Sequence, residues 1–198
     1  IVQSVDSALL YYESWGQCWE RSALVKARPV AGNQELGAAF LGQLTPFVYR
    51  RYLDFTTVEE LREMKVRIEH ELLSPVEKQR NVKLGEGGIR EVEFFTQALQ
   101  LLNGGYEPRI RERNTLRALA LLARHGFIPR KEENALSRAY RFLRNVEHKI
   151  QVVQEAHSHL IPEGKSEEHS LARRLGYRKR GRSDERSLFA REYRSRTM

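Results

Sequence analysis

The run Trp19-Glu20-Arg21-Ser22-Ala23-Leu24-Val25-Lys26-Ala27-Arg28 gathers cations on a helical pattern. At about 100° per residue, Arg21 and Arg28 fall about 20° apart on one face, and Lys26 falls about 20° from Trp19 on another. Two guanidinium groups stacked in this way can grip a polyphosphate, because the forked donors of arginine suit bidentate contacts to phosphate oxygens. A plain basic face of an amphipathic helix has the same pattern, and spacing does not separate the two readings. The second group is Lys83-Leu84-Gly85-Glu86-Gly87-Gly88-Ile89-Arg90-Glu91-Val92-Glu93. Glycines just before a helix let backbone amides approach an anion while the helix dipole favours negative charge, and Lys83 and Arg90 would complete such a site. The spacing matches neither the phosphate-loop nor the dinucleotide fingerprint, and Glu86 sets an acid where a phosphate would be repelled. A tight turn that lets helices pack closely is the equal alternative. Glu91 and Glu93 project about 200° apart and cannot jointly hold one metal ion.

In Arg144-Asn145-Val146-Glu147-His148-Lys149, Glu147 falls about 20° from Leu136, inside an apolar stripe. A carboxylate there needs a partner, and a nearby arginine is the expected one. His148 points away from that stripe. His157-Ser158-His159 lacks the helical i, i+4 spacing and any acidic cluster nearby, which speaks against a metal site.

The elements that must position these groups read as helices throughout, with no convincing run of alternating apolar and polar residues, so the expected class is all-α. Val5, Leu9 and Tyr12 make a first stripe ending near Gly16. A second helix from about Gln17 must stop by Pro29, and a third, Gln34 to Leu44, is cut by Pro46. Thr57-Val58-Glu59-Glu60 is a capping box for a helix with Val58, Leu61, Met64, Ile68 and Leu72 on its buried face, ended by Ser74-Pro75. The glycine turn leads into an apolar helix carrying Val92, Phe95, Leu99 and Leu102, widened by Phe94, Ala98 and Leu101 and closed by Gly104-Gly105. Its breadth makes it the expected centre of the fold. Asn114 or Thr115 starts the next helix, and Gly126 with Pro129 ends it. The longest helix, about Lys131 to Ala156, buries Leu136, Tyr140, Leu143, Val146, Ile150 and Val153. A short helix around Leu171 to Leu175, the basic loop Arg178-Lys179-Arg180-Gly181-Arg182 and a helix of about Asp184 to Arg196 follow.

Composition narrows the class. A chain of 198 residues with 40% hydrophobic and 30% charged residues folds, and no apolar run approaches a membrane span. Cys18 is the only cysteine, which leaves no internal disulfide or thiolate zinc site and points to a reducing, cytoplasmic compartment. The formal net charge of +8 attracts phosphates of any kind or an acidic protein surface. A basic nucleic-acid binder using the Arg178–Arg182 cluster is therefore an alternative, weakened because Tyr140 and Phe142 fall on expected core positions and form no stacking surface. The abrupt start and the last helix, which has no visible stop, read as a piece of a longer protein.

Taken in order, several segments resemble the bacterial bifunctional glutamine synthetase adenylyltransferase/adenylyl-removing family. They are Tyr11-Tyr12-Glu13, Trp19-Glu20-Arg21, Lys26-Ala27-Arg28-Pro29, Pro46-Phe47-Val48-Tyr49-Arg50-Arg51-Tyr52-Leu53-Asp54-Phe55, the glycine block through Phe94-Phe95, and Phe142-Leu143-Arg144 with Glu147-His148. The resemblance covers most of the chain. It implies the helical region that follows the nucleotidyltransferase core of the N-terminal, adenylyl-removing half. Residues 1–32 would be the helical end of the nucleotidyltransferase domain and 33–198 a multi-helix bundle domain, truncated at its C-terminal end. The family's metal-binding carboxylates, carried on a small mixed sheet, would precede Ile1. Asp6 and Asp54 match none of them, so no catalytic or metal residue is expected here and the piece would be inactive alone. Lys26 and Arg28, with Arg21, would close over the nucleotide. The turn with Lys83, Gly87, Gly88 and Arg90 would face the same cleft or brace it, and Glu86 favours bracing. Mg²⁺ and ATP or ADP would serve the intact enzyme, with none bound tightly to this piece. Glutamine synthetase and the PII signalling protein would be partners, membrane and nucleic acid would not, and one of the helical faces would serve protein docking.

Overall fold

The computed structural model describes residues 2–51, 59, 60, 62, 63, 66, 75–154 and 158–197. Among them every regular element is helical, and extended backbone pairs only at the isolated bridges Asn81–Leu160 and Arg180–Ser183. The Thr57 capping box with its stripe to Leu72, the Tyr52–Phe55 part of the tyrosine block, and His157 lie outside the described residues. The chain divides into two units, 1–68 with 94–133, and 69–93 with 134–198.

The first unit opens with α1 (Val5–Trp15), α2 (Cys18–Leu24), α3 (Gln34–Gln43) and α4 (Thr45–Val48). Local chemistry sets these starts. The Ser4 hydroxyl accepts from the Ser7 amide at 3.2 Å and the Asn33 side chain from the Leu36 amide at 3.0 Å, each satisfying one orphan donor of a helix start. Pro46, which the pattern gives as a stop for α3, also sits in the first turn of α4, where its missing N–H costs nothing. Val25, Val48 and Leu101 form a buried cluster, with Leu24, Phe47, Tyr49, Phe94 and Ala98 packed against it. α7 (Thr115–Arg124), capped by Asn114, adds Ala118, Leu119 and Leu122, all fully buried.

The second unit holds α5 (Pro75–Lys78), most of α8 (Arg130–Gln154), α9 (Lys165–Arg174) and α10 (Glu185–Thr197). Its core joins Val82, Ile89, Leu143, Val146, Ile150, Ile161, Leu171, Ala172 and Phe189. Burying each of the larger side chains contributes roughly 1.5–3 kcal/mol before conformational entropy is counted. The apolar positions 143, 146 and 150 of α8 are buried as their spacing predicts. α9 differs from the short helix expected around Leu171. It begins at Lys165, three residues after Pro162, because a polar first turn can stay helical where only Leu171 and Ala172 need burial.

α6 (Ile89–Asn103) contributes residues to both units. Its most buried line is Val92, Thr96, Gln100 and Leu101, while Phe95, Leu99 and Leu102 are half-buried. The amide of Gln100 explains part of this. Its Nε2 donates to the Ile110 and Glu112 carbonyls at 2.8 and 2.7 Å, which fixes the Pro108–Ile110 turn inside the first unit.

Candidate phosphate-binding elements

α2 starts with a capping box: the Glu20 carboxylate accepts from the Gln17 amide at 2.8 Å, and the Tyr11 hydroxyl donates to its other oxygen at 3.2 Å. That hydrogen bond to a carboxylate raises the Tyr11 hydroxyl pKa above the ordinary value. Arg21 is 4% exposed, with its guanidinium carbon 5.4 Å from the centre of the Phe47 ring. The neighbouring Cys18 thiol is pushed up by burial.

The helix stops at Leu24, with the amides of Lys26 and Ala27 turning back to Ala23 and Leu24. The 20° stacking of Arg21 and Arg28 therefore does not exist, because Arg28 stands beyond the helix, exposed and just before Pro29. Lys26 reaches elsewhere in its own unit. Its ammonium donates to the Arg113 carbonyl at 2.6 Å and to the Thr115 hydroxyl at 2.9 Å, 87 and 89 residues along the chain. Thr115 is 4% exposed and is the first residue of α7, so Lys26 ties the turn after α2 to the start of that helix. Of the three cations, Arg28 alone is exposed.

The glycine turn, in the second unit, spends six of its amides internally. Asn81 accepts from the Lys83 and Leu84 amides through its side chain at 3.0 and 2.9 Å and from the Gly85 amide through its carbonyl at 2.8 Å. The Gly88, Ile89 and Arg90 amides go to the Gly85, Val82 and Lys83 carbonyls at 2.9, 3.0 and 2.9 Å. These six amides are therefore committed within the turn and not open to an anion. Gly87 has φ +63°, and a Cβ there would lie 2.0 Å from the Thr197 carbonyl oxygen, so the end of α10 sits directly on the turn. Arg90 and Glu86 are exposed, and Lys83 is half-buried.

Glu147, 4% exposed, finds the arginine its position calls for: Arg144 Nη1 lies 2.6 Å from one oxygen and His159 Nδ1 3.0 Å from the other. It thereby holds the extended segment around His159, whose carbonyl accepts from the Val82 amide at 2.9 Å. Glu93 accepts from the Tyr140 hydroxyl at 2.9 Å. Sequence reading does not single out Asn81 or Gln100, and it names His159 only in arguing against a metal site. An Asn two to four residues before a glycine turn is a legible cue for Asn81, whereas the other two depend on contacts distant in sequence.

Among the described residues no three of His, Cys, Asp and Glu gather closely enough to hold a metal ion, and no helix is long and apolar enough to cross a membrane. The described residues by themselves thus supply no carboxylate set that would hold Mg²⁺.

Comparison with known proteins gives these pieces a context. The chain is 47% identical over 175 residues to the bifunctional glutamine synthetase adenylyltransferase/adenylyl-removing enzyme of Rhizobium meliloti (strain 1021), covering 87% of this chain. The enzyme of the same name from Xanthobacter autotrophicus is 46% identical over 181 residues, covering 89%, and that from Xanthomonas axonopodis pv. citri 47% over 167, covering 84%. The family model for GlnD PII-uridylyltransferase matches residues 56–198, more than half of the chain, and that for glutamate-ammonia ligase adenylyltransferase matches 1–43. The chain belongs to the glutamine synthetase adenylyltransferase/adenylyl-removing family. It spans 18% of the length of each of these relatives.

Proposed function

We propose that the chain is a helical segment of an enzyme that attaches AMP to glutamine synthetase and removes it, and that it belongs to the adenylyl-removing half. Identity of 43–47% with enzymes of that name, over most of this chain, is the observation that carries the reading. ATP or ADP and Mg²⁺ would be used by the whole enzyme, with the metal held by carboxylates outside this segment, and the enzyme would work in the cytoplasm with glutamine synthetase and PII as partners. Residues 1–32 would close the nucleotidyltransferase domain and 33–198 would form the helical domain. The change from one family model to the other, between 43 and 56, falls C-terminal to that junction.

Within the segment, Arg28 is the residue that reaches a nucleotide phosphate. Lys26 sets the position of its turn, and Arg21 stiffens α2 from below. The support is exposure for Arg28, two hydrogen bonds for Lys26 and burial for Arg21. Lys83, Gly87, Gly88 and Arg90 brace the helical domain. The test is the parent enzyme carrying Arg28→Ala or Lys26→Ala, assayed for release of AMP from adenylylated glutamine synthetase. Losses of about a hundredfold are expected for Arg28, in line with removal of one preorganised donor. The isolated 198-residue chain should neither add nor remove AMP. Unchanged removal by Arg28→Ala would sink the phosphate role, and turnover by the isolated chain would sink the division of labour.

A further inference from the structure

The hairpin that links α9 to α10 carries an unbalanced cluster of charge. After α9 the chain turns at Gly176, and Arg178 Nη1 donates to the Arg173 and Tyr177 carbonyls at 3.0 and 2.9 Å, closing the helix end. Arg180 and Ser183 then exchange both backbone hydrogen bonds, at 3.0 and 3.1 Å, around the two-residue turn Gly181-Arg182. Gly181, at φ +61°, takes the left-handed conformation that tight hairpins require, and nothing stands within 4 Å of where its Cβ would be. The turn therefore projects into solvent on a fixed base. Arg174, Lys179, Arg180 and Arg182 are exposed and make no ion pair among the described residues. The nearest acids are otherwise engaged. Asp184 accepts from the Ser187 amide at 2.8 Å, Glu185 faces His169 at 3.5 Å, and Glu192 takes the Tyr177 hydroxyl at 2.8 Å and Arg196 at 3.2 Å.

We propose that this hairpin is a docking point for a short acidic segment of a protein partner. Like charges held this close on an ordered turn repel one another, and the repulsion is relieved when carboxylates arrive. Two observations favour a protein over a nucleic acid. Tyr177, the aromatic residue of the hairpin, is turned inward with its ring 5.9 Å from that of Phe189 and its hydroxyl on Glu192, so it offers no platform for a base. The patch is also short. α9 is about 15 Å long, and at its far end Glu167 is exposed and Glu163 pairs with Arg80, so a phosphate backbone running along the helix would meet carboxylates there as well as Lys165. A compact cluster of Asp and Glu matches the available charge, and a long polyanion does not. The inference rests on the hairpin alone and is independent of the adenylyl-removing assignment.

The experiment uses the 198-residue chain with a labelled octaglutamate peptide, set against single-stranded and duplex DNA at about 150 mM salt, where charges beyond about 8 Å are screened. Arg180→Glu with Arg182→Glu reverses the hairpin. Arg138→Glu with Arg141→Glu, two exposed positions on α8, changes net charge equally and serves as the control. Arg180→Gln with Arg182→Gln provides a milder pair, and circular dichroism confirms helicity in each. Octaglutamate affinity should fall about tenfold or more with the hairpin reversal, by less with the neutral pair, and by under about twofold with the control. Equal losses from hairpin and control would show diffuse attraction and overturn the proposal. Tighter binding of either DNA than of the peptide would overturn it in favour of nucleic acid, and absence of peptide binding would overturn it outright.

Discussion

Lys26 offers the sharpest test of the structure, because the two roles open to it predict opposite signs. If its ammonium served only to meet a phosphate, removing it from a chain of net charge +8 would relieve repulsion and leave the empty protein as stable or slightly more so. In the structure that ammonium donates to the Arg113 carbonyl and the Thr115 hydroxyl. Hydrogen bonds from a charged donor are worth about 1.5–3 kcal/mol each. Arg113 is exposed, so water can replace Lys26 at its carbonyl, but Thr115 is 4% exposed and its hydroxyl would lose a partner inside the protein. Lys26→Met keeps the aliphatic stem and should cost about 2 kcal/mol, or a fall in Tm of roughly 5 °C for a chain of this size. Thr115→Val should cost less, about 1 kcal/mol. The double variant should cost about 1 kcal/mol less than the sum of the single ones, the sign of a direct interaction. The assay is urea unfolding followed by circular dichroism, with hydrogen exchange of the Ala118 amide reporting on the first turn of α7. Wild-type stability in Lys26→Met, or strict additivity with Thr115→Val, would refute the tether.

Two further predictions concern the second unit. Glu147→Leu leaves His159 and Arg144 without their shared carboxylate and should destabilise by about 3 kcal/mol, while Glu147→Gln, which can still accept from one of them, should lose about half as much; equal costs for the two variants would argue against the pairing. Burial pushes the Tyr193 hydroxyl up to about 12. In the folded chain it stays neutral where the unfolded chain has begun to ionise, so the stability it confers is complete below about pH 10 and is lost as pH rises from about 10 to 12. Tyr193→Phe should flatten that part of the stability profile, as read from urea midpoints across the alkaline range.

The sequence by itself determined the class and most of the elements. Periodicity of 3.6 places Leu143, Val146 and Ile150 on one face of α8 whatever lies opposite, and the helix starts at Asn114 and about Asp184 are set by caps acting within three residues of themselves, so both are legible without the fold. The buried position of Glu147 was legible for the same reason, as was its need for an arginine. What α6 buries was not, since an apolar count favours Phe95 and Leu99 while Gln100 is drawn inward by two carbonyls of a later turn.

Tertiary structure alone decided where the cations stand and what they bond. The pattern from Trp19 to Arg28 reads as one continuous helix, but α2 ends at Leu24 and Lys26 bonds to residues 87 and 89 positions away, contacts that no local spacing encodes. Glycines before a helix fit an anion cradle and a brace equally well. The Asn81 side chain and the carbonyls within the turn take six of its amide donors, and the end of α10 lies over Gly87, which is what supports the proposed brace. Spacing states which groups are available, and only the fold fixes which of them are already satisfied and which still face water.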